Sequence, residues 1–155
     1  MQIFGTIMRL YSIEGQRANK CPWNNDKTIK RHEETGVITM LTLEMIQEAK
    51  KTLEGVARVT PMYESAFINP NANVYIKCEN MQLTGSFKLR GAYVKTNSLT
   101  EEEAAKGVIA CSAGNHAQGV ALSAQKKGIK ATICMPAGAP LAKVEATKSY
   151  GAEVV

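Results

Sequence analysis

The feature that most limits the fold is an alternation of short apolar segments and helical patterns between residues 108 and 155. Strands at 108–111, 131–135 and 152–155 are separated by helical patterns at 115–127 and 141–150, and a glycine closes each helix. Short apolar strands joined by helices are typical of a parallel sheet with right-handed crossovers and helices on both faces. The sequence therefore predicts an α/β domain, in which ligands bind at the carboxyl ends of the strands.

One lysine lies in an unusual setting upstream of this region. The stretch 85–91 reads Gly-Ser-Phe-Lys-Leu-Arg-Gly, and it falls where an extended segment gives way to a helical pattern. Lys88 lies between Phe87 and Leu89, so apolar packing is expected to favour its uncharged amine, which can attack a carbonyl and form a Schiff base. This stretch alone leaves open the alternative that Lys88 is an ordinary side chain with its charged end in solvent.

A second candidate site follows the first apolar strand of the alternation. Residues 112–116 read Ser-Ala-Gly-Asn-His and connect the strand at 108–111 to a helical pattern. Free backbone N–H groups at the start of a helix bind anions. This turn is therefore predicted to be an anion site at the carboxyl end of a strand.

Local signals also predict the elements between residues 41 and 107. Thr42 is expected to cap a helix that ends near Gly55, and Thr100 with Glu103 forms the pattern of a capping box. A helix is expected after Lys88. Two strands are predicted on either side of Asn69-Pro70-Asn71, at 63–68 and 74–78.

Composition limits the classes of partner. The net charge of +5 is spread along the chain without a basic stripe interleaved with aromatic residues, which argues against nucleic-acid binding. No apolar run approaches the roughly twenty residues that span a bilayer, so no membrane partner is expected. The four cysteines, at positions 21, 78, 111 and 134, form no C-x-x-C pair. Cys78, Cys111 and Cys134 lie in apolar runs, where buried free thiols are expected, and this predicts a reducing, cytoplasmic setting for Cys21 as well.

The two ends of the chain suggest hypotheses about its extent. Residues 1–40 are polar and lack a clear period, which predicts a loosely ordered leader followed by the N-terminal part of a catalytic domain at 41–155. Regular patterns begin directly after Met40, which suggests that Met40 is the natural start. The chain stops within a predicted strand, which suggests the front part of a longer protein.

Three stretches carry a family resemblance: Lys-Cys-Glu-Asn at 77–80, Gly-Ser-Phe-Lys-Leu-Arg-Gly-Ala at 85–92, and Ala-Cys-Ser-Ala-Gly-Asn-His-Ala-Gln-Gly at 110–119. In this order and spacing they resemble the serine/threonine dehydratases, which are pyridoxal-phosphate enzymes of the tryptophan-synthase β type. The resemblance covers about residues 41–155. It implies pyridoxal-phosphate fold type II, a three-layer α/β fold with a parallel sheet, which is incomplete in this sequence.

The resemblance implies a role for each residue of the two motifs. Lys88 would be the catalytic Schiff-base lysine and general base, Phe87 would pack beside the cofactor, and Asn115 would hydrogen-bond its phenolic oxygen. The substrate carboxylate would be held by Ser112 and by the backbone N–H groups of the three residues Gly114, Asn115 and His116. His116 is interpreted as a helix-cap residue without a role in proton transfer, and no metal is expected.

The implied reaction is the dehydration and deamination of L-threonine or L-serine. The products would be ammonia and a 2-oxo acid, 2-oxobutanoate from threonine or pyruvate from serine, with isoleucine biosynthesis as an expected pathway and a homo-oligomer as the expected assembly. Racemisation needs a second base on the opposite face of the substrate. In the serine racemases of this fold, a serine directly before Gly-Asn-His supplies that base. Because Ala113 stands there and cannot carry a proton, dehydration is predicted ahead of racemisation.

An alternative from another class stays open at this point. The family has a glycine-rich loop for the cofactor phosphate and a later Ser, Thr or Cys near the pyridine nitrogen, and neither is found in these residues. The chain could therefore be a catalytically inactive fragment of such an enzyme. A nucleotide-binding module is a weaker alternative, since no G-x-G-x-x-G or P-loop pattern is present.

Overall fold

The computed structural model describes residues 41–69 and 71–155, which form five α-helices, one short 3₁₀ helix (Glu79–Met81) and five strands. The leader predicted at 1–40, Cys21 within it, and Pro70 of the predicted turn lie outside the described residues. In chain order the elements are α1 (Leu43–Thr52), β1 (Met62–Glu64), β2 (Tyr75–Lys77), α2 (Lys88–Asn97), α3 (Glu101–Lys106), β3 (Val108–Cys111), α4 (Asn115–Lys127), β4 (Ala131–Cys134), α5 (Leu141–Ser149) and β5 (Glu153–Val154).

The predicted β-α-β-α-β alternation is confirmed as a parallel sheet. Its strand order is β3-β4-β5, and Cys111 at the end of β3 pairs in register with Cys134 at the end of β4. Parallel neighbours need a crossover, and α4 and α5 supply the two crossovers. The strands therefore end at one common edge, where the turn that follows β3 lies.

The core lies between one face of this sheet and α4. Alternate strand residues are buried on that face, among them Val108, Ala110 and Ile133, and they contact a buried stripe on α4. α5 packs against α4 and β5, and α2 packs against α4. The described residues therefore supply the predicted helical cover for one face of the sheet, while Ile109 and Thr132 on the other face are half-buried.

Helix boundaries largely follow the local signals. The Thr42 hydroxyl accepts a hydrogen bond from the backbone N–H of Met45. The predicted capping box is also present: the Thr100 hydroxyl accepts from the N–H of Glu103, and the Glu103 carboxylate accepts from the N–H of Thr100. α4 ends at Gly128 as predicted. These boundaries are local because each depends on side chains within one helical turn.

Three expectations for the periphery differ from the structure. The strands predicted at 63–68 and 74–78 do form an antiparallel pair, but each strand has only three residues and all six residues are exposed. The helix predicted to end near Gly55 ends at Thr52 and contributes no buried residue, and Leu43 is 63% exposed. The expected burial of the cysteines is not met: Cys111 lies on the sheet face away from α4 and is exposed, and Cys78 and Cys134 are only half-buried.

The lengths of the helices bear on membrane insertion. Within residues 41–69 and 71–155, no helix has the length and apolar character needed to cross a bilayer.

Candidate active site

The lysine motif forms a tight turn that leads into α2. Gly85 has φ +67, a left-handed conformation that favours glycine, and its N–H donates to the carbonyl of Gln82. The buried Ser86 side chain then accepts a hydrogen bond from the backbone N–H of Lys88 at 3.2 Å. The predicted change from extended chain to helix is confirmed, and Lys88 is the first residue of α2.

The expected apolar packing around Lys88 is wrong for the described residues. Lys88 is exposed and Phe87 is 62% exposed, whereas Leu89 is fully buried. Successive residues at a helix start point in directions about 100° apart, so burial of Leu89 turns Lys88 outward. Within the described part of the chain, Nζ of Lys88 makes no hydrogen bond or ion pair, and its amine is accessible to a ligand.

The second motif lies where the sequence predicts, between β3 and α4. The Ser112 hydroxyl accepts from the N–H of Gly114 at 3.3 Å, and the Ser112 N–H donates to the carbonyl of Cys134 on the neighbouring strand. Asn115 then begins α4, a helix of thirteen residues whose first N–H groups lack partners within the helix. The turn thus presents donors at the carboxyl edge of the sheet.

A glycine inside α4 brings the two motifs together. A Cβ atom on Gly119 would lie 3.2 Å from both the carbonyl carbon and the carbonyl oxygen of Lys88, and 3.3 Å from the N of Leu89. Such distances are tighter than ordinary van der Waals contact, so only glycine allows this approach without movement. Because Gly119 lies one turn after Asn115, this contact holds the start of α2 beside the start of α4.

The pKa of His116 also reflects the closeness of Lys88 to the start of α4. Burial lowers the pKa of His116 below its ordinary value of 6.5, and the positive charge of Lys88 lowers it further. The imidazole is therefore neutral at pH 7. His116 is half-buried at the start of α4, and its interpretation as a helix-cap residue without a role in proton transfer stays a prediction.

Asn115 has a partner from a third element. Nζ of Lys143, on α5, donates to Oδ1 of Asn115 at 2.9 Å. Neither Lys143 nor the role of Gly119 is predicted from the sequence. Both contacts join distant segments, and neither residue carries a local signal that separates it from other helical lysines or glycines.

A network of charged side chains fixes the lysine turn to the segment before it. Arg90, on the first turn of α2, donates to both carboxylate oxygens of Glu79, at 2.9 Å from Nε and 2.7 Å from a terminal nitrogen. The Thr60 hydroxyl donates to the same carboxylate at 2.7 Å, and Nζ of Lys77 donates to the Thr60 carbonyl. Glu79 therefore links the strand pair to the helix that carries Lys88.

These bonds predict a pH-dependent contribution to stability. The hydrogen bond from Arg90 is the main cause that lowers the pKa of Glu79 from 4.5 to about 2. Because the folded-state pKa is depressed, the contribution is present above pH 4.5 and is lost as the pH falls toward 2. Glu79→Gln is expected to reduce the free energy of unfolding by about 1 to 3 kcal/mol at pH 7, and urea unfolding at pH 7, 4 and 2.5 measures it.

The matched control for this substitution is Glu102→Gln. The Glu102 carboxylate pairs with Lys106 on α3, but its side chain is 83% exposed, so solvent screens the pair and little change is expected. A Glu79→Gln deficit that stays constant from pH 7 to pH 2.5 would contradict an ionic origin.

Comparison with known proteins identifies the family. The family model described as "Pyridoxal-phosphate dependent enzyme" matches residues 53–155. The catabolic L-threonine dehydratase of Staphylococcus aureus strain N315 is 51% identical over an alignment of 129 residues, and the match covers 78% of this chain and 37% of that protein. The chain thus spans a little over a third of the length of the curated relatives it matches.

Solved structures agree with the fold. The processed form of threonine deaminase isoform 2 from Solanum lycopersicum has 40% identity and a TM-score of 0.64, over 75% of this chain and 34% of that one. The serine racemase of Dictyostelium discoideum has 41% identity and a TM-score of 0.69, over 74% of this chain and 38% of that one. These matches confirm the predicted fold class, and the chain belongs to the family of pyridoxal-phosphate dependent enzymes.

Proposed function

We propose that this chain contributes the lysine half of an active site that dehydrates and deaminates L-threonine and L-serine with pyridoxal phosphate. The products are ammonia and 2-oxobutanoate or pyruvate. The observation that carries the proposal is the close approach at Gly119, which brings the backbone of Lys88 against α4 within one turn of the donors at the start of that helix. The relationship to the threonine dehydratases supports the substrate class.

The residues present fit parts of the cofactor. Its aldehyde needs an accessible amine without a competing ion pair, and Lys88 meets that condition among residues 41–69 and 71–155. Its ring oxygen is an anionic acceptor, and Asn115 at the start of α4 offers donors to it. When bound, pyridoxal phosphate supplies an electron sink that makes the Cα proton of an amino acid removable.

The side chains of this site have distinct proposed roles. Nζ of Lys88 would hold the cofactor and would accept the Cα proton as general base. The exposed Phe87 would pack beside the cofactor. Ser112 and the backbone N–H groups at 114–116 bind the substrate carboxylate, for which Gly114 must exchange its present bond to the Ser112 hydroxyl.

Racemisation of L-serine is the second candidate, because the Dictyostelium neighbour is a serine racemase. Racemisation needs a base on each face of the Cα atom. Ala113 precedes Gly114 and carries no ionisable group, so the described turn offers no second base at that position. Dehydration is therefore the preferred activity, and a homo-oligomer remains the proposed assembly.

The proposal is tested by following product and cofactor together. The protein is incubated with pyridoxal phosphate and L-threonine or L-serine, and 2-oxo acid, ammonia and D-serine are measured. A separate sample is reduced with borohydride and mapped by mass spectrometry. The expected result is equal amounts of 2-oxo acid and ammonia, little D-serine, and a reduced adduct on Lys88.

Two other outcomes contradict this function. Faster formation of D-serine than of pyruvate would favour a racemase. An adduct on Lys88 without any 2-oxo acid would instead support the hypothesis that the chain is catalytically inactive by itself.

A further inference from the structure

The carboxamide of Asn115 can be oriented in two ways, and its neighbour decides between them. An asparagine side chain has one acceptor oxygen and one donor NH₂ group. Nζ of Lys143 lies 2.9 Å from Oδ1 of Asn115, and a lysine ammonium can only donate. The oxygen must therefore face Lys143, and the NH₂ group of Asn115 must face the other way.

Lys143 is itself held in place by α5. It is the third residue of that helix, and its N–H donates to the carbonyl of Pro140 at 2.8 Å. Its own carbonyl accepts from the fully buried hydroxyl of Thr147 at 2.8 Å. Because α5 packs against α4, the Lys143 side chain reaches the start of α4 from a fixed backbone.

The orientation matters for an anionic ligand. With its oxygen turned outward, Asn115 would present a partial negative charge to the ring oxygen of the cofactor, which would repel it. With its oxygen held by the Lys143 ammonium, Asn115 presents donors instead, and the adjacent positive charge polarises the amide and strengthens them.

We propose that Lys143 is a positioning residue for the cofactor: it fixes the Asn115 carboxamide so that the NH₂ group donates to the anionic ring oxygen of pyridoxal phosphate. This inference rests on the proposed function. It adds a residue from α5 to a site built from α2 and the start of α4, and Lys143 acts only through Asn115.

The test measures cofactor affinity in a double-mutant cycle. Lys143→Met keeps the length of the side chain and removes its donors, and it is compared in the wild-type background and in Asn115→Ala. Apparent dissociation constants for pyridoxal phosphate are measured by equilibrium dialysis. Lys143→Met is expected to weaken binding about tenfold in the wild-type background and to have little further effect in Asn115→Ala.

Two variants on α5 control for other effects. Lys143→Arg keeps a hydrogen-bond donor, and its dissociation constant for pyridoxal phosphate is expected to stay within about threefold of the wild-type value. If Lys143 acted only through its shape, the differently shaped arginine would not preserve the affinity. Lys148→Met removes an exposed lysine from the last turn of the same helix and is expected to leave the affinity unchanged.

A second readout does not need the cofactor. The side-chain NH₂ resonances of Asn115 in an ¹⁵N-labelled sample are expected to shift in Lys143→Met, but not in Lys148→Met. Unchanged resonances would overturn the contact itself. Equal weakening of cofactor binding in both backgrounds, or none in either, would overturn the positioning role.

These outcomes separate the inference from the function on which it rests. If wild-type protein binds pyridoxal phosphate at Lys88 and Lys143→Met binds equally well, only the inference fails. If wild-type protein captures no cofactor while the Asn115 resonances still respond to Lys143→Met, the proposed function fails, and the cofactor-positioning role fails with it.

Discussion

Lys88→Met is expected to abolish the borohydride-stable adduct with pyridoxal phosphate and to lower 2-oxo acid formation by at least about a thousandfold. The substitution keeps the length of the side chain but removes the amine that would hold the cofactor and accept the Cα proton. Adduct formation is measured by peptide mapping after reduction, and product formation by the assay for 2-oxo acid and ammonia.

The matched control is Lys95→Met, which removes an exposed lysine from the last turn of the same helix. It is expected to keep both the adduct on Lys88 and the rate of product formation. An adduct of undiminished yield on another lysine in Lys88→Met would contradict the assignment.

His116 shows whether the Lys88 variant keeps its local structure. Because the Lys88 charge lowers the pKa of His116, Lys88→Met is expected to raise that pKa. Burial is the larger cause and remains, so the pKa should stay below 6.5. Lys88→Arg keeps the charge and should leave the pKa nearly unchanged. The chain has only two histidines, so a proton NMR titration resolves this shift.

The sequence predicts the parallel α/β region well because its signals are local. The bounds of β3 agree with the prediction from the apolar run at 108–111, and the helix between β3 and β4 begins at Asn115 and is closed by Gly128 as predicted. Strand pairing at the periphery is predicted less well. Tyr63 and Tyr75 favour strands by propensity. Both faces of this strand pair are exposed, so no buried contacts stabilise longer strands.

The site is predicted in its residues but not in its geometry. The resemblance draws attention to Lys88 and Asn115, and their elements lie side by side through Gly119. The apolar neighbours Phe87 and Leu89 do not bury Lys88. Burial at a helix start depends on the direction in which a side chain points, and residues next to each other in sequence point in different directions. Lys143 could not be predicted from local patterns, since its partner lies 28 positions away and Lys148 on the same helix looks equivalent in sequence.

Gly119→Ala is expected to destabilise the protein although alanine is the better helix former. The new methyl group would lie 3.2 Å from the backbone of Lys88, and backbone atoms cannot rotate away as a flexible side chain can. The start of α2 is also held by the buried Leu89 and by the Ser86 hydroxyl. The overpacking should cost about 1 to 3 kcal/mol and exceed the helix-propensity gain of about 1 kcal/mol.

Gly91→Ala gives the opposite expectation and serves as the matched control. Gly91 lies in α2, and a Cβ there would have no heavy atom within 4 Å outside its own helix and chain neighbours. The substitution should therefore stabilise the protein by up to about 1 kcal/mol. Urea unfolding of the two alanine variants, with Gly119→Val as a larger step, measures the difference.

The same substitution also tests the geometry of the site. A shift of α2 away from α4 moves Lys88 relative to Asn115, and reacting groups misplaced by about 1 Å can lose about a hundredfold in rate. Gly119→Ala should therefore slow capture of pyridoxal phosphate at Lys88 by about tenfold or more, whereas Gly91→Ala should capture it at the wild-type rate. Wild-type stability and capture in Gly119→Ala would mean that α2 can move without consequence, and that the close approach of the two helices does not determine the position of the lysine.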